Sequence, residues 1–382
     1  MPSQTRLRRR RKLRRLVNRI HLWAAIIGSL PALLLCLSGL ILIFESELQN
    51  LEEYAFTKVK PEKETLPLEE LLIKVEKETQ STVKYLSFPQ QDTQVAMIRT
   101  ENDDYHFVNP YNGDILKSTW VPAIIMQAIR VFHTSFFMGD FGTWIGIVSS
   151  LFLITLCITG CYLFLKRKLS ARTIFRIRWK PASRRNYDLH AITGFITAIP
   201  IILIALSGAL IGLGSAWRET ILFLTNSEFK PRPNLEAAVE RSEWNFQYEE
   251  ALAAIEATAP EGMFIEAITF PQKAEDPIRF RLLYNWATRP ASWAFIDPKN
   301  GELIEFHHHW DYDTGHLIHR LNRGFHSGEL YTDLMRWLWF FLMIAPFILA
   351  YTGYRQWRQK KVKNTGNKRP LPQTKKQIQT DY

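Results

Sequence analysis

The sequence predicts a membrane protein that combines a membrane α-helical class with an α+β class. We expect a four-transmembrane-helix bundle built from two internal repeats, and we expect each repeat to add a small α+β domain outside the bilayer. Two observations predict this class. Four long segments contain no charged residue, and the phrases that border these segments recur in register along the chain.

Four apolar segments define the predicted membrane spans. They are Leu22–Phe44, Trp144–Leu165, Ala191–Gly214 and Trp337–Tyr354, and none contains Asp, Glu, Lys or Arg. A bilayer core of about 30 Å requires about 20 helical residues, so each segment is long enough to cross it. The first segment is too long for the apolar region of a cleaved signal peptide and belongs to the repeat, so we expect it to remain as a span.

Positive charge sets the predicted orientation. Residues 1–20, 166–188 and 355–382 each contain nine Lys and Arg residues and at most one acidic residue. Because such segments stay on the cytoplasmic side, we expect both termini and the central loop to be cytoplasmic. The net charge of +11 then reflects membrane orientation, and we expect no nucleic acid partner. Arg8–Arg15 also fits a nucleic-acid arm or a twin-arginine signal, but a cytoplasmic anchor explains it without a further assumption.

The segments between the spans predict the two outer domains. Amphipathic helices are expected at Leu68–Thr79 and Tyr248–Ala257. The alternating strands that follow are Val83–Phe88, Val95–Thr100 and Tyr105–Val108 in the first domain, and Phe264–Phe270, Ile278–Tyr284 and Trp293–Ile296 in the second. Asn-Gly pairs at 112–113 and 300–301 supply the tight turns.

These patterns divide the chain into nine segments. They are a basic N-terminus (1–20), four membrane segments (21–44, 126–165, 189–214 and 321–357), two outer domains (45–125 and 215–320), a basic loop (166–188) and a basic tail (358–382). The second and fourth membrane segments each include a helix that enters from the outer side.

A histidine stands at the head of each repeated phrase. The first phrase runs from His21 to Ser38-Gly39 and recurs 169 residues later, from His190 to Ser207-Gly208. The second phrase runs from His133 to Thr159-Gly160 and recurs in the same way from His326 to Thr352-Gly353. Each repeated half therefore places histidines at the ends of apolar spans. This pattern indicates metal or haem ligands to which both halves contribute.

Topology sorts the four histidines into two pairs of equal depth. His21 and His190 stand at cytoplasmic helix starts, whereas His133 and His326 precede helices that enter from the outer side. An isolated histidine at the lipid boundary is more often an interfacial residue, but the duplication favours ligands. We expect no carboxylate or thiol ligand beside His21 and His190, which disfavours zinc and non-haem iron. Sequence spacing alone does not separate haem from a simple metal.

The outer domains carry the residues of a family resemblance. Their helix-then-strands layout and their turns, Asn109–Asp114 and Asp297–Glu302, resemble those of the PepSY-associated transmembrane family. The resemblance covers roughly residues 15–360. Within that family the chain is similar to the inner-membrane siderophore reductases.

This resemblance implies a bacterial inner-membrane protein whose large loops form two periplasmic PepSY-like domains. It implies two haem b groups with two axial histidines each, His21 with His190 and His133 with His326. The implied enzyme is a haem-dependent ferric-siderophore reductase, an oxidoreductase for iron uptake. Its implied substrate in the periplasm is a ferric siderophore of the ferrioxamine type.

Two further groups of residues are candidates on the outer side. Arg130 and Arg323 stand three residues before the outer histidines, where haem propionates and lipid headgroups are equally good partners. A second histidine cluster, for substrate or metal or simply a solvated loop, comprises His307, His308, His309, His316 and His319. His319 is also an alternative ligand to His326, but the repeat aligns His319 with Met126 and therefore favours His326.

The sequence contains no motif for a second cofactor. We find no strand-associated G-x-G-x-x-G, no P-loop and no C-x-x-C-H, so we expect neither flavin nor NAD on this chain and no covalently attached c-type haem. The electron donor is then expected to be a membrane quinol or a cytoplasmic reductase, and membrane lipid is the other partner. Two other functions stay open: a permease for siderophore or peptide, and a non-catalytic regulatory or assembly protein.

Overall fold

The computed structural model describes residues 4–45, 59–89, 91–118, 121–167, 173–245, 247–284, 291–330 and 333–366. Every candidate site residue named above lies within these ranges, whereas most of the predicted basic tail lies outside them. The described residues belong to two compact units. The first unit takes its residues from Met1–Ser29, Phe152–Ile202 and Leu342–Tyr382, and the second from Leu30–Leu151 and Leu203–Phe341.

Helices make up most of the described chain. They are α1 (Gln4–Leu42), α2 (Leu68–Thr79), α3 (Val121–Ser135), α4 (Gly139–Leu165), α5 (Ala182–Gly212), α6 (Ser215–Thr225), α7 (Tyr248–Thr258), α8 (Thr314–Ser327) and α9 (Asp333–Gly366). Among the described residues, four helices are long and apolar enough to cross a membrane: α1, α4, α5 and α9. Helices α4 and α9 contain their apolar segments whole, whereas α1 and α5 end at Leu42 and Gly212, two residues before the predicted ends.

Several helices extend beyond the boundaries drawn from hydropathy. Helix α1 begins at Gln4, well before its apolar segment, because Arg and Lys are good helix formers. The boundaries placed at residues 126, 189 and 321 fall inside α3, α5 and α8. Hydropathy changes at these points, but polar residues continue a helix as readily as apolar ones.

Across the residues that the structure describes, eight strands form one antiparallel sheet. The first four are β1 (Val83–Ser87), β2 (Ala96–Thr100), β3 (Tyr105–Val108) and β4 (Ile115–Ser118). The others are β5 (Met263–Thr269), β6 (Ile278–Tyr284), β7 (Ser292–Ile296) and β8 (Leu303–His307). Their order in the sheet is β4-β3-β2-β1-β5-β6-β7-β8.

The two outer domains are not separate, which corrects the expectation from sequence. Strand β1 pairs with β5, with Leu86 opposite Ile268. The Phe88 N–H donates to the Glu266 carbonyl at 3.0 Å, and the Phe270 N–H donates to the Lys84 carbonyl at 2.9 Å. Without this pairing β1 and β5 would both be open edges with unpaired backbone groups, so the join satisfies both edges at once.

Helices α2 and α7 cover one face of the joined sheet. Val75 of α2 and Ile255 of α7 belong to the same hydrophobic core as the strand residues. Strand β6 shows the alternation that produces this core: Phe280 is buried in it, whereas Arg281 points the other way and pairs with Glu266 at 2.7 Å. The shared core makes one folding unit of strands that are far apart in sequence.

We predict that Ile255→Ala destabilises the sheet by about 2–5 kcal/mol, because it leaves a cavity under the sheet. Ile255 is 0% exposed, whereas Ile73 on the companion helix α2 is 58% exposed. Ile73→Ala is therefore the control, with an expected change below about 0.5 kcal/mol. Urea unfolding of the full chain in detergent, followed by tryptophan fluorescence, measures both. Equal losses would contradict this placement of the core.

Candidate functional site

Two pairs of imidazole rings face each other. In the first unit, the ring centres of His21 on α1 and His190 on α5 lie 6.2 Å apart, with the ring planes inclined at 86°. In the second unit, the ring centres of His133 on α3 and His326 on α8 lie 6.1 Å apart, at 44°. Each pair takes one histidine from each half of the chain.

These distances suit two imidazoles that bind one metal ion from opposite sides. An imidazole nitrogen binds a metal at about 2.0–2.1 Å, so two opposed rings on one ion have centres about 6.3 Å apart. Within the described part of the chain, the Nε2 atoms of His21, His133, His190 and His326 make no hydrogen bond. Each pair therefore offers two nitrogen ligands.

The other ring nitrogen, Nδ1, contacts a hydroxyl on a neighbouring helix in all four cases. The distances are 2.8 Å from His21 to Thr159 Oγ1, 2.9 Å from His133 to Ser38 Oγ, 3.0 Å from His190 to Thr352 Oγ1 and 3.1 Å from His326 to Ser207 Oγ. Each imidazole ring is therefore attached to its own helix and held in place by a hydroxyl on a neighbouring helix. The Ser-Gly and Thr-Gly phrases of the sequence repeat are thus the partners of the histidines.

The glycine that follows each hydroxyl residue leaves space for the imidazole. A Cβ atom at Gly208 would lie 2.7 Å from His326 Cε1, and one at Gly39 would lie 3.1 Å from His133 Cε1. The corresponding distances are 3.3 Å at Gly353 to His190 and 3.5 Å at Gly160 to His21. Ordinary van der Waals contact begins near 3.4 Å. The ring is therefore most tightly enclosed at Gly208 and least at Gly160.

Burial favours the neutral form of both imidazoles in the His133–His326 pair. Burial lowers the pKa of His133 to about 4, and the nearby His326 adds to this effect. Burial also lowers the pKa of His326. Neutral imidazole is the form in which histidine binds a metal, so burial favours the form of these two rings that can act as a ligand.

The model of one protein family, the PepSY-associated TM region, matches residues 18–360. The chain belongs to the PepSY-associated transmembrane family. The match confirms the resemblance inferred from the turns, and it includes all four histidines and all four Ser-Gly and Thr-Gly steps. No curated protein matches the chain. The family and the four long apolar helices together make the chain a membrane protein.

This member of the PepSY-associated transmembrane family also contains an ion cluster that sequence reasoning missed. The carboxylate of Asp188, at 0% exposure, accepts hydrogen bonds from Arg167 Nη2 at 2.9 Å and from Arg178 Nη2 and Nε at 2.6 and 2.7 Å. Asp188, two residues before His190 in the sequence, therefore forms ion pairs with two arginines. The sequence contains one sign of this ion cluster, because Asp188 is the single acidic residue in the basic segment 166–188.

The two candidate arginines are placed on the helices of the second pair. Arg130 lies one turn before His133 on α3 and forms an ion pair with Glu45. Arg323 lies one turn before His326 on α8 and is exposed. A propionate or headgroup at Arg130 would therefore share the guanidinium with Glu45.

The second histidine cluster is not a solvated loop, which corrects that expectation. His307, His309 and His316 are 3%, 1% and 7% exposed. His307 is the last residue of β8, His316 lies in the first turn of α8, and His309 between them is held by Ser292 of β7 through its backbone N–H and its ring. His307 lies between two polar groups, with Glu305 Oε2 at 2.7 Å from its Nε2 and Tyr312 OH at 3.2 Å from its Nδ1. Tyr284 OH lies 3.4 Å from His308 Nε2, and Ser292 Oγ lies 2.9 Å from His309 Nδ1. Across the described ranges, no three His, Cys, Asp or Glu residues are placed to hold a metal ion.

His319 and His326 both lie on α8, two helical turns apart. The ring that faces His133 is that of His326. The structure therefore places His326 in the pair, as the alignment with Met126 favours. The ring of His316, one turn before His319, stacks on Phe229 with centres 5.3 Å apart.

We predict that Gly208→Ala destabilises the protein by about 1–3 kcal/mol, because the new methyl group overlaps the His326 ring. Gly160→Ala is the matched control, since its methyl group would only touch the His21 ring. Both substitutions gain similar helix propensity, so their difference reports the overlap. Thermal unfolding of the full chain in detergent measures it. A Gly208→Ala variant as stable as Gly160→Ala would contradict the close packing of His326.

Proposed function

We propose that this chain is a bacterial inner-membrane oxidoreductase that holds two haem b groups and reduces a ferric siderophore in the periplasm. The observation that carries the proposal is the double pair of imidazoles, with ring centres 6.2 and 6.1 Å apart. Two such pairs in one membrane protein fit a relay of single electrons.

The residues of both pairs fit haem. Haem iron brings four porphyrin nitrogens, so two imidazoles complete its coordination. His21 and His190 would hold one group, and His133 and His326 the other. When bound in this way, haem supplies one-electron transfer and has no open coordination position for oxygen chemistry.

The surrounding side chains set the conditions for that chemistry. The hydroxyls of Ser38, Ser207, Thr159 and Thr352 orient the rings, and the adjacent glycines let the rings lie close to the helix backbones. Arg130 and Arg323 supply positive charge one turn before the His133–His326 pair, where propionates are candidate partners. Burial lowers the pKa of both histidines in this pair and so favours the neutral imidazole that binds iron.

The distribution of charge supports the proposed orientation. The basic segments 1–20 and 166–188 immediately precede His21 and His190 in the sequence, so this pair belongs to the cytoplasmic side. Both termini are then cytoplasmic, and the eight-stranded sheet is periplasmic. A membrane quinol or a cytoplasmic reductase would deliver electrons to the His21–His190 side, within membrane lipid, without flavin or NAD on this chain.

Reduction of the bound iron weakens its binding to a siderophore and so promotes its release. Hard oxygen ligands prefer Fe³⁺ to the less charged Fe²⁺. One electron per iron, supplied by the quinol or the reductase, converts Fe³⁺ to Fe²⁺ and leaves the chelator intact. In the second histidine cluster, His308 and His319 are only partly buried and are the proposed substrate contacts, whereas His307, His309 and His316 are buried in the fold. The ferrioxamine type of siderophore follows from the family resemblance.

We predict that His21→Ala and His190→Ala each remove the same one of two haems, because each variant leaves a single axial ligand. His133→Ala and His326→Ala should each remove the other haem. His319→Ala, on the same helix as His326, is the control and should keep both. Haem content per chain and reduced-minus-oxidised spectra distinguish the two groups, and anaerobic reoxidation of the wild-type chain by ferric siderophore tests the substrate.

Three outcomes would reject parts of this proposal. A chain without a Soret band after haem-sufficient expression would reject the haem protein. Loss of the same haem in His21→Ala and His133→Ala would reject the pairing. Two intact haems that ferric siderophore does not reoxidise would reject the reductase and favour a permease or a regulatory protein.

A further inference from the structure

The geometry points to four hydroxyl side chains as the positioning residues of the histidine pairs, namely Ser38, Ser207, Thr159 and Thr352. Each hydroxyl holds its histidine in the single tautomer that leaves Nε2 free to bind iron. The inference rests on the proposed function for the identity of the metal group. The tautomer itself is a property of the chain without haem.

Carbonyl contacts identify the tautomer of two of the rings. The Nδ1 atom of His190 lies 3.1 Å from the Leu349 carbonyl oxygen, and that of His326 lies 3.1 Å from the Ile204 carbonyl oxygen. A carbonyl oxygen only accepts hydrogen bonds, so Nδ1 carries the proton in both rings. The lone pair of a neutral imidazole then lies on Nε2.

The hydroxyls identify the tautomer of the other two rings. Thr159 Oγ1 donates its proton to the Thr155 carbonyl at 2.6 Å, and Ser38 Oγ donates to the Leu34 carbonyl at 2.9 Å. A hydroxyl has one proton, so each oxygen accepts the Nδ1–H of its histidine, His21 or His133. All four rings therefore present Nε2 as the ligand atom.

The Ser-Gly and Thr-Gly pairs meet two requirements of the contact between a hydroxyl and a histidine Nδ1 atom. The hydroxyl must donate to its own helix and accept from the ring, which Val and Ala side chains do not do. The next residue must leave room for the imidazole, and Gly does so at each of the four positions. A partner on the second nitrogen fixes the orientation of a metal-binding histidine and raises its basicity.

The test compares Thr159→Val and Ser38→Ala with the conservative Thr159→Ser and Ser38→Thr. Thr197→Val and Ser149→Ala are matched controls. Their hydroxyls are also buried and donate to the helix carbonyls of Thr193 at 2.8 Å and Ile145 at 2.6 Å. Within the described chain they make no hydrogen bond to a histidine. All variants are made in the full chain in detergent, both haem-free and haem-loaded.

We expect three changes in Thr159→Val that the controls and Thr159→Ser lack. In the haem-free chain, ¹⁵N NMR shows His21 as a mixture of tautomers instead of Nδ1–H alone. Haem affinity at this pair falls by about 10–100-fold. The midpoint potential of the same haem rises, because a less basic ligand stabilises Fe³⁺ less, while the other haem is unchanged. Ser38→Ala should do the same at the His133–His326 pair.

Two results would overturn the inference. One is a pure Nδ1–H tautomer of His21 in Thr159→Val, and the other is a potential and affinity indistinguishable from those of Thr197→Val. If the wild-type chain takes up no haem at all, the proposed function fails, but the NMR comparison still decides whether the hydroxyls fix the tautomer.

Discussion

Each imidazole in the two facing pairs has two polar nitrogens to satisfy in apolar surroundings, and the described chain supplies a partner for only one of them. A buried polar group without a partner costs free energy, and a metal ligand bond at Nε2 would satisfy the second nitrogen. The partner of each Nδ1 atom comes from a neighbouring helix. His21 contacts α4 and His190 contacts α9 in the first unit, while His133 contacts α1 and His326 contacts α5 in the second.

The two halves of the chain depend on each other in two separate ways. Each ring pair takes one histidine from either half, so half a chain would offer a single imidazole to each pair. The sheet shows the same dependence, because β1 and β5 close each other's edges and Ile255 and Val75 enter one common core. A chain that lacked one half would lose both histidine pairs and the join between β1 and β5.

A free imidazole nitrogen does not by itself identify a ligand. His309 also has a hydroxyl, that of Ser292, at Nδ1 and, among the described residues, no hydrogen-bond partner at Nε2. Its ring lies 4.4 Å from that of His308, its neighbour in sequence, which is too close for two rings on opposite sides of one ion. The distinguishing property of His21, His133, His190 and His326 is that they face each other in pairs, from different helices, at the distance that an ion requires.

The sequence by itself determined the four apolar helices, the sorting of the histidines and the layout of the outer strands, because these depend on local periodicity and on repetition along the chain. It did not decide that β1 joins β5, that Asp188 is clamped by Arg167 and Arg178, or that His307 is buried. It showed Ser38-Gly39 and its three counterparts only as recurring phrases. The tertiary structure decided their role, because the contact between a hydroxyl and an Nδ1–H depends on how two helices pack, and neither helix encodes that packing alone.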